Sequence, residues 1–240
     1  MAQGVAWAAR ELDVPCTVIA PDHAPDTKVA AIERLGGRVL KVPFERWWQT
    51  LEERHFEGVE GLFVHPFENE DVMAGNGTIG LEILEDLPDP DAVLIPWGGG
   101  GLTVGIASAI KAQRPGVKIY AVEPETAAPL NASLAAGSSQ EIEYRHSFVD
   151  GAGGRALLPK MWALAEPLLD GAFSVSLEET AAAIRMLAER IRVIAEGAGA
   201  LAPAAALSGK AGEGKVVCIV SGGNIDFSTL SEILAGETPL

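Results

Sequence analysis

Four successive glycines, Gly98-Gly99-Gly100-Gly101, followed by Leu102, stand between an apolar run and a helix-forming one. Glycines let a backbone turn tightly and approach a ligand closely. Successive N–H groups can then face one concavity, and the helix N-terminus adds partial positive charge. That arrangement suits a phosphate dianion. The plain alternative is a tight strand-to-helix turn, but four glycines in a row lose more chain entropy on folding than a casual turn warrants. Gly99, Gly101 and Gly105 also give a G-x-G-x-x-x-G spacing, with Glu123 about twenty residues on, which imitates a dinucleotide fingerprint. The standard G-x-G-x-x-G is missing, because Thr103 and Val104 hold the possible final positions.

Two further clusters could complete a site. Val220-Ser221-Gly222-Gly223-Asn224 follows the last apolar run and presents a hydroxyl beside glycines that leave room for a flat ring. Read alone it is equally a turn and helix cap. Ala195-Glu196-Gly197-Ala198-Gly199-Ala200 places one carboxylate among small residues, where Glu196 is either a site acid or a surface residue of a last helical turn.

The elements that must position these residues alternate short β-type runs with longer helical ones, the pattern of an α/β protein with mostly parallel strands. Strands are expected at 17–20, 38–42, 61–65, 92–96, 118–122 and 215–220. Helices are expected at 3–12, 26–35, 45–56, 78–87, 102–113, 177–193 and 199–207. Ala92 to Pro96 is apolar throughout, as in a sheet covered on both faces. Gly75-Asn76-Gly77 punctuates the chain and suggests a domain boundary between His65 and Asn76.

Composition sets the outer limits. The 240 residues carry 18 basic and 33 acidic side chains, a formal charge of -15, with 48% hydrophobic content. This is the balance of an ordinary globular protein and gives no clustered Lys and Arg for nucleic acid. No apolar run reaches the ~18 residues of a membrane span. Met1 to Ala6 has no basic n-region of a signal peptide. Cys16 and Cys218 lie among apolar residues and read as reduced core thiols, which points to a cytoplasmic location.

Taken together, the motifs resemble the serine/threonine dehydratases (threonine ammonia-lyases) and serine racemases, fold-type II pyridoxal-phosphate enzymes. They are His65-Pro66-Phe67, Gly75-Asn76-Gly77-Thr78-Ile79-Gly80-Leu81-Glu82, the tetraglycine loop, Val122-Glu123-Pro124, Glu196-Gly197-Ala198-Gly199 and Ser221-Gly222-Gly223-Asn224, in that order. The resemblance runs from Ala2 to about Asn224. It implies a tryptophan-synthase-beta-like α/β fold, three-layer α/β/α with parallel-rich sheets, incomplete at the N-terminus. Residues 1–66 would be the remainder of a small α/β domain and 67–240 a large cofactor-binding domain. The cofactor would be pyridoxal 5'-phosphate, held at its phosphate by Gly98, Gly99, Gly100, Gly101 and Leu102. Ser221 would hydrogen-bond the ring nitrogen, with Glu196 near the ring. Phe67 and Gly197 would lie on the substrate side, although a core aromatic is an equal reading of Phe67. The implied reaction is deamination of threonine or serine by β-elimination, giving a 2-oxo acid and ammonia. A small amino-acid substrate is the partner, with no nucleic acid and no membrane, and a homo-oligomer is compatible. Racemase, threonine synthase-like and hydroxyectoine-pathway activities share these motifs.

The chain departs from the family pattern in two places. The Schiff-base lysine of a Ser-Phe-Lys-like motif precedes a Ser-Gly-Asn-His-Ala-Gln-Gly-like loop in the family, and here Ala2-Gln3-Gly4-Val5-Ala6 matches only the tail of that loop. No lysine stands in the matching context, and Lys28 reads as a solvated helix residue. An N-terminally truncated chain is the favoured expectation and a lysine-free descendant the other; either is expected to be inactive or poorly folded as written. Some relatives also bind a cation near Glu123; the matching positions here are Glu123, Ala127 and Pro129, and proline supplies no carboxylate, so no metal is expected. Outside this family, a nucleotide-binding oxidoreductase on the Gly99/Gly101/Gly105 loop and a catalytically inactive ligand-binding or subunit-interaction domain stay open.

Overall fold

A computed structural model describes all 240 residues, Met1–Leu240, as two compact units, 1–66 and 67–240. The first unit contains α1 (Ala2–Glu11), β1 (Thr17–Pro21), α2 (Asp26–Arg34), β2 (Arg38–Val42) and α3 (Phe44–Glu53). Strands β1 and β2 pair in parallel from Thr17 opposite Arg38 to Pro21 opposite Val42. Pro25 and Pro43 stand just ahead of α2 and α3, where a missing N–H costs no helical bond. The strand expected at 61–65 does not form. Gly58 and Gly61 turn the chain at φ +78° and +133°, and Leu62 is 91% exposed, so the apolar run has no ladder to join.

The second unit is built on one four-stranded parallel sheet, ordered β5-β4-β3-β6. Its strands are β3 (Ala92–Pro96), β4 (Lys118–Pro124), β5 (Gly171–Val175) and β6 (Val216–Cys218). The side chains of β3 alternate between two cores, because successive residues of a strand point to opposite faces. Val93 and Ile95 join Ile106 and Ile110 of α5 (Gly101–Gln113) on one face. On the other face Leu94 joins Ile184 of α8 (Leu177–Met186) and Leu201 of α9 (Gly197–Leu207). Helices, sheet and helices therefore make three layers, as the resemblance implies.

Several elements differ from the sequence reading. Helix α4 runs from Glu70 to Asp86, so Gly75-Asn76-Gly77 lies inside it, and the two units divide after Pro66, ahead of those glycines. Its start is set by Asn69, whose Oδ1 accepts the Val72 N–H at 3.0 Å, and by Glu70 and Asp71 in the first turn. The helix expected over 177–193 opens on a Ser176–Glu179 capping box. It ends early, passing into a π-helical turn at Leu187–Ile191 that Arg192 stops at φ +59°. Strand β5 and the helices α6 (Pro129–Ala136), α7 (Pro159–Ala165) and α10 (Phe227–Leu234) carry too few residues to show a period in the sequence.

Two of the three glycines of α4, Gly77 and Gly80, serve packing. A Cβ on Gly77 would lie 3.2 Å from the Gly105 carbonyl oxygen, and one on Gly80 would lie 2.9 Å from that of Ile106. A Cβ on Gly105 would run into the Met73 carbonyl. Helices α4 and α5 thus touch backbone to backbone, which fixes where α5 begins. Replacing Gly105 with alanine overpacks this contact, and urea denaturation should show a loss of about 1–3 kcal/mol.

Glu123 closes β4 and caps α6. Its Oε1 accepts the Leu130 N–H at 2.9 Å; its Oε2 accepts the Asn131 N–H at 2.9 Å and Asn131 Nδ2 at 2.8 Å. The side chain is fully buried, and burial raises its pKa from 4.5 to about 7 against the pull of those donors. A carboxyl with a raised folded-state pKa binds its proton more tightly in the native state. Its stabilising contribution is complete below pH 4.5 and is lost as pH rises through 7, by about 3 kcal/mol in all. Glu123→Gln should remove that slope, so wild-type and variant stabilities measured by denaturation from pH 4.5 to 8 should converge or cross toward the alkaline end.

Candidate functional site

Strands β3 and β6 are neighbours in the sheet, so the loops leaving their C-terminal ends emerge side by side. Ligands of open α/β sheets collect at such strand ends, where helix N-termini also point. Residues 97–101 form one loop and 219–224 the other. Between them in sequence, Glu196 opens α9, and its N–H donates to the Gly222 carbonyl at 3.0 Å. That bond ties the Glu196 cluster to the Ser221 cluster.

The contact leaves no space for side chains. A Cβ on Gly199 would strike the Gly222 carbonyl, one on Gly223 the Ile194 carbonyl, and one on Gly222 the Glu196 carboxylate. The carboxylate therefore lies against Gly222, one residue from Ser221. Ser221 is exposed and its hydroxyl makes no hydrogen bond within the protein. Gly197 is buried, its α-carbon pressed on the Val149 backbone, where a Cβ would sit 2.9 Å from Cα.

The tetraglycine loop is anchored at both ends and open in between. Trp97 N–H donates to the Val122 carbonyl at 2.8 Å, and Thr103 Oγ1, buried, donates to the Pro96 carbonyl at 3.3 Å. Gly100 takes φ +92°, a left-handed conformation that a side chain would strain, and caps α5. The N–H groups of Gly98, Gly99 and Gly100 donate to no acceptor in the protein. The first turn of α5, opened by Gly101 and Leu102, adds N–H groups that no helix can satisfy internally. Gly100 is buried and Gly98 and Gly99 are partly buried, so this row of N–H groups at a helix start fits a small anion such as a phosphate group.

One part of the site is hidden from sequence reasoning. Residues Asp150-Gly151-Ala152-Gly153 form a loop that joins the two halves. Gly153 N–H donates to the Trp97 carbonyl at 2.7 Å, and a Cβ on Gly98 would lie 3.5 Å from Ala152 Cα. On its other side, a Cβ on Gly151 would lie 3.7 Å from the Glu196 carboxyl carbon. Glycines 151, 153 and 154 behind an acid are the one available signal, and they stand in a stretch without apolar periodicity. Phe67 packs under the tetraglycine loop, where a Cβ on Gly99 would enter its ring. The structure thus brings together Gly98 to Leu102, Phe67, Glu196 and Ser221.

No lysine of the larger unit belongs to this arrangement. Lys111 and Lys118 pair with Asp170, Lys160 with Glu68, Lys210 with Glu179 and Lys215 with Asp89. Gly105, the third glycine of the dinucleotide-like spacing, is taken up by the α4 contact, and Glu123 by the α6 cap.

Comparison with known proteins gives this geometry its family. The chain is 40% identical over 237 residues to a Thermotoga maritima protein named L-threonine ammonia-lyase, covering 97% of this chain and 59% of that one. It is 36% identical over 239 residues to a Sinorhizobium fredii protein named putative threonine dehydratase, covering 98% and 72%. The structure of maize serine racemase superposes with a TM-score of 0.86 at 31% identity, over 98% of this chain and 74% of that one. The chain therefore spans about three fifths of the length of the Thermotoga relative. Residues 1–222 match the family described as pyridoxal-phosphate dependent enzyme, whose phosphate the free N–H row fits, and the chain belongs to that family.

Proposed function

We propose that residues 67–240 are the cofactor-holding part of a pyridoxal-phosphate dependent ammonia-lyase that deaminates threonine or serine to a 2-oxo acid and ammonia. The observation that carries this reading is the row of unpaired N–H groups at Gly98, Gly99 and Gly100, set one strand away from Ser221 and Glu196. The names of the Thermotoga and Sinorhizobium relatives support the substrate class.

When bound, pyridoxal phosphate supplies an electron sink that stabilises negative charge at the amino acid's Cα and lets the β-hydroxyl leave. The protein's part is to hold and tune. The loop 98–101 and the N-terminus of α5 bind the phosphate through backbone donors and the helix dipole. The Ser221 hydroxyl hydrogen-bonds the ring nitrogen; being neutral, it does not hold a proton there as a carboxylate would. Glu196, lying against Gly222, is the acid next to Ser221. Each lysine of the larger unit is paired with a carboxylate, so residues 67–240 hold the cofactor and are not expected by themselves to move the substrate's Cα proton.

The test uses the 240-residue protein with added pyridoxal phosphate. Binding should be competed by inorganic phosphate and weakened at least about tenfold by Gly100→Val, since a bulky left-handed residue displaces the loop. Threonine should release no 2-oxo acid. Full turnover by this chain would overturn the lysine assignment, while NAD(P) binding in place of pyridoxal phosphate would overturn the cofactor reading.

A further inference from the structure

A loop of four glycines has more backbone freedom than any other, yet a row of N–H groups binds an anion well only when its orientation is set beforehand. None of the four residues has a side chain to set it. Two aromatic side chains flank the loop. A Cβ on Gly99 would enter the Phe67 ring, and one on Gly101 would lie 2.7 Å from Phe67 Cα and its carbonyl oxygen. Gly100, between them, faces the opposite way; its Cβ would lie 2.5 Å from Cη2 and 2.7 Å from Cζ2 of Trp97.

We infer that Phe67 and Trp97 form a clamp on alternate glycines that holds the loop in its phosphate-accepting conformation. Both are positioning residues. Trp97 is fully buried among Met73, Val104, Leu130 and Met161, and its indole N–H has no hydrogen-bond acceptor. A buried orphan donor is a penalty that an aliphatic or phenyl side chain would not carry. What the indole provides in return is reach, since its six-membered ring extends from position 97 to the far side of Gly100. A smaller residue there leaves a void behind the one glycine held at φ +92°.

The inference rests on the phosphate reading of the loop and is tested apart from it. Inorganic phosphate is titrated into the isotopically labelled 240-residue chain, and the amide resonances of Gly98 to Gly101 and the Trp97 indole resonance are followed, together with amide exchange. In the wild type these resonances should shift together. Trp97→Ala and Phe67→Ala should each weaken phosphate binding by about tenfold or more and speed exchange at Gly100, while Trp97→Phe, whose shorter ring fills only part of the space behind Gly100, falls between wild type and alanine, because the lost term is preorganisation. Folded alanine variants with wild-type affinity and exchange would overturn the clamp alone. Wild-type loop amides that do not respond to phosphate would overturn the phosphate reading and the clamp with it. If an alanine variant fails to fold, Trp97→Leu and Phe67→Leu decide: faster loop exchange supports the clamp and unchanged exchange overturns it.

Discussion

Backbone packed directly on backbone is the constraint from which the candidate site follows. Helix α5 can begin at Gly101 only where α4 lets it, and that place is set by Gly77, Gly80 and Gly105, whose missing side chains bring the two helices into carbonyl contact. The same device recurs where Gly199 meets Gly222 and where Gly223 meets the Ile194 carbonyl. Each contact removes the space of a methyl group and brings in polar backbone, which must then find partners. Around the site most of it does, as with Glu196 to Gly222 and Gly153 to Trp97. The row at Gly98 to Gly100 finds none within the protein, and the phosphate reading proposed above rests on it.

The electrostatics point the same way at short range and oppose it at long range. The chain carries a formal charge of -15, which repels an anion at a distance. No lysine or arginine lies in the loops at 98–101 and 219–224. The larger unit's lysines are held by carboxylates, Lys118 and Lys215 beside the N-terminal ends of β4 and β6, opposite the site. Asp170 receives Lys111 at 2.8 Å and Lys118 at 2.7 Å, and these bonds outweigh its burial and hold its pKa down to about 2. Within these two loops, positive potential therefore comes from oriented N–H groups and not from a charged side chain.

Much of this arrangement is legible in the amino-acid sequence. The apolar run Ala92 to Pro96 reads as a doubly covered strand and is one, and the glycines after it mark the start of α5 where α5 starts. The strand ends that carry the tetraglycine and Ser221 clusters are legible because local composition decides them. What the sequence hides depends on partners. Gly75 to Gly77 looks like a break by propensity, yet Gly77 packs on the Gly105 carbonyl, and a good cap at Asn69 starts the helix earlier. The run Gly61 to His65 has strand residues but no neighbour to pair with. The loop at 150–153 matters only through what it touches, and a single sequence does not say that Gly153 will donate to Trp97.

The glycine spacing that imitates a dinucleotide fingerprint shows why a motif needs its surroundings. In either kind of site a helix begins at a phosphate, and a neighbouring element must pass close to its first turns, so a glycine one turn in is required on packing grounds alone. Gly105 meets that requirement against α4. The spacing therefore reports a helix approached closely near its start, and says nothing of the second nucleotide. The acid is what would distinguish the two, since a ribose needs a carboxylate with a free lone pair at the strand end. Glu123 ends β4, but both of its oxygens accept N–H groups of α6 and its side chain is buried away from solvent. With that carboxylate buried against a helix, Glu123 is not presented to a ribose, which favours the single-phosphate reading proposed above over a dinucleotide.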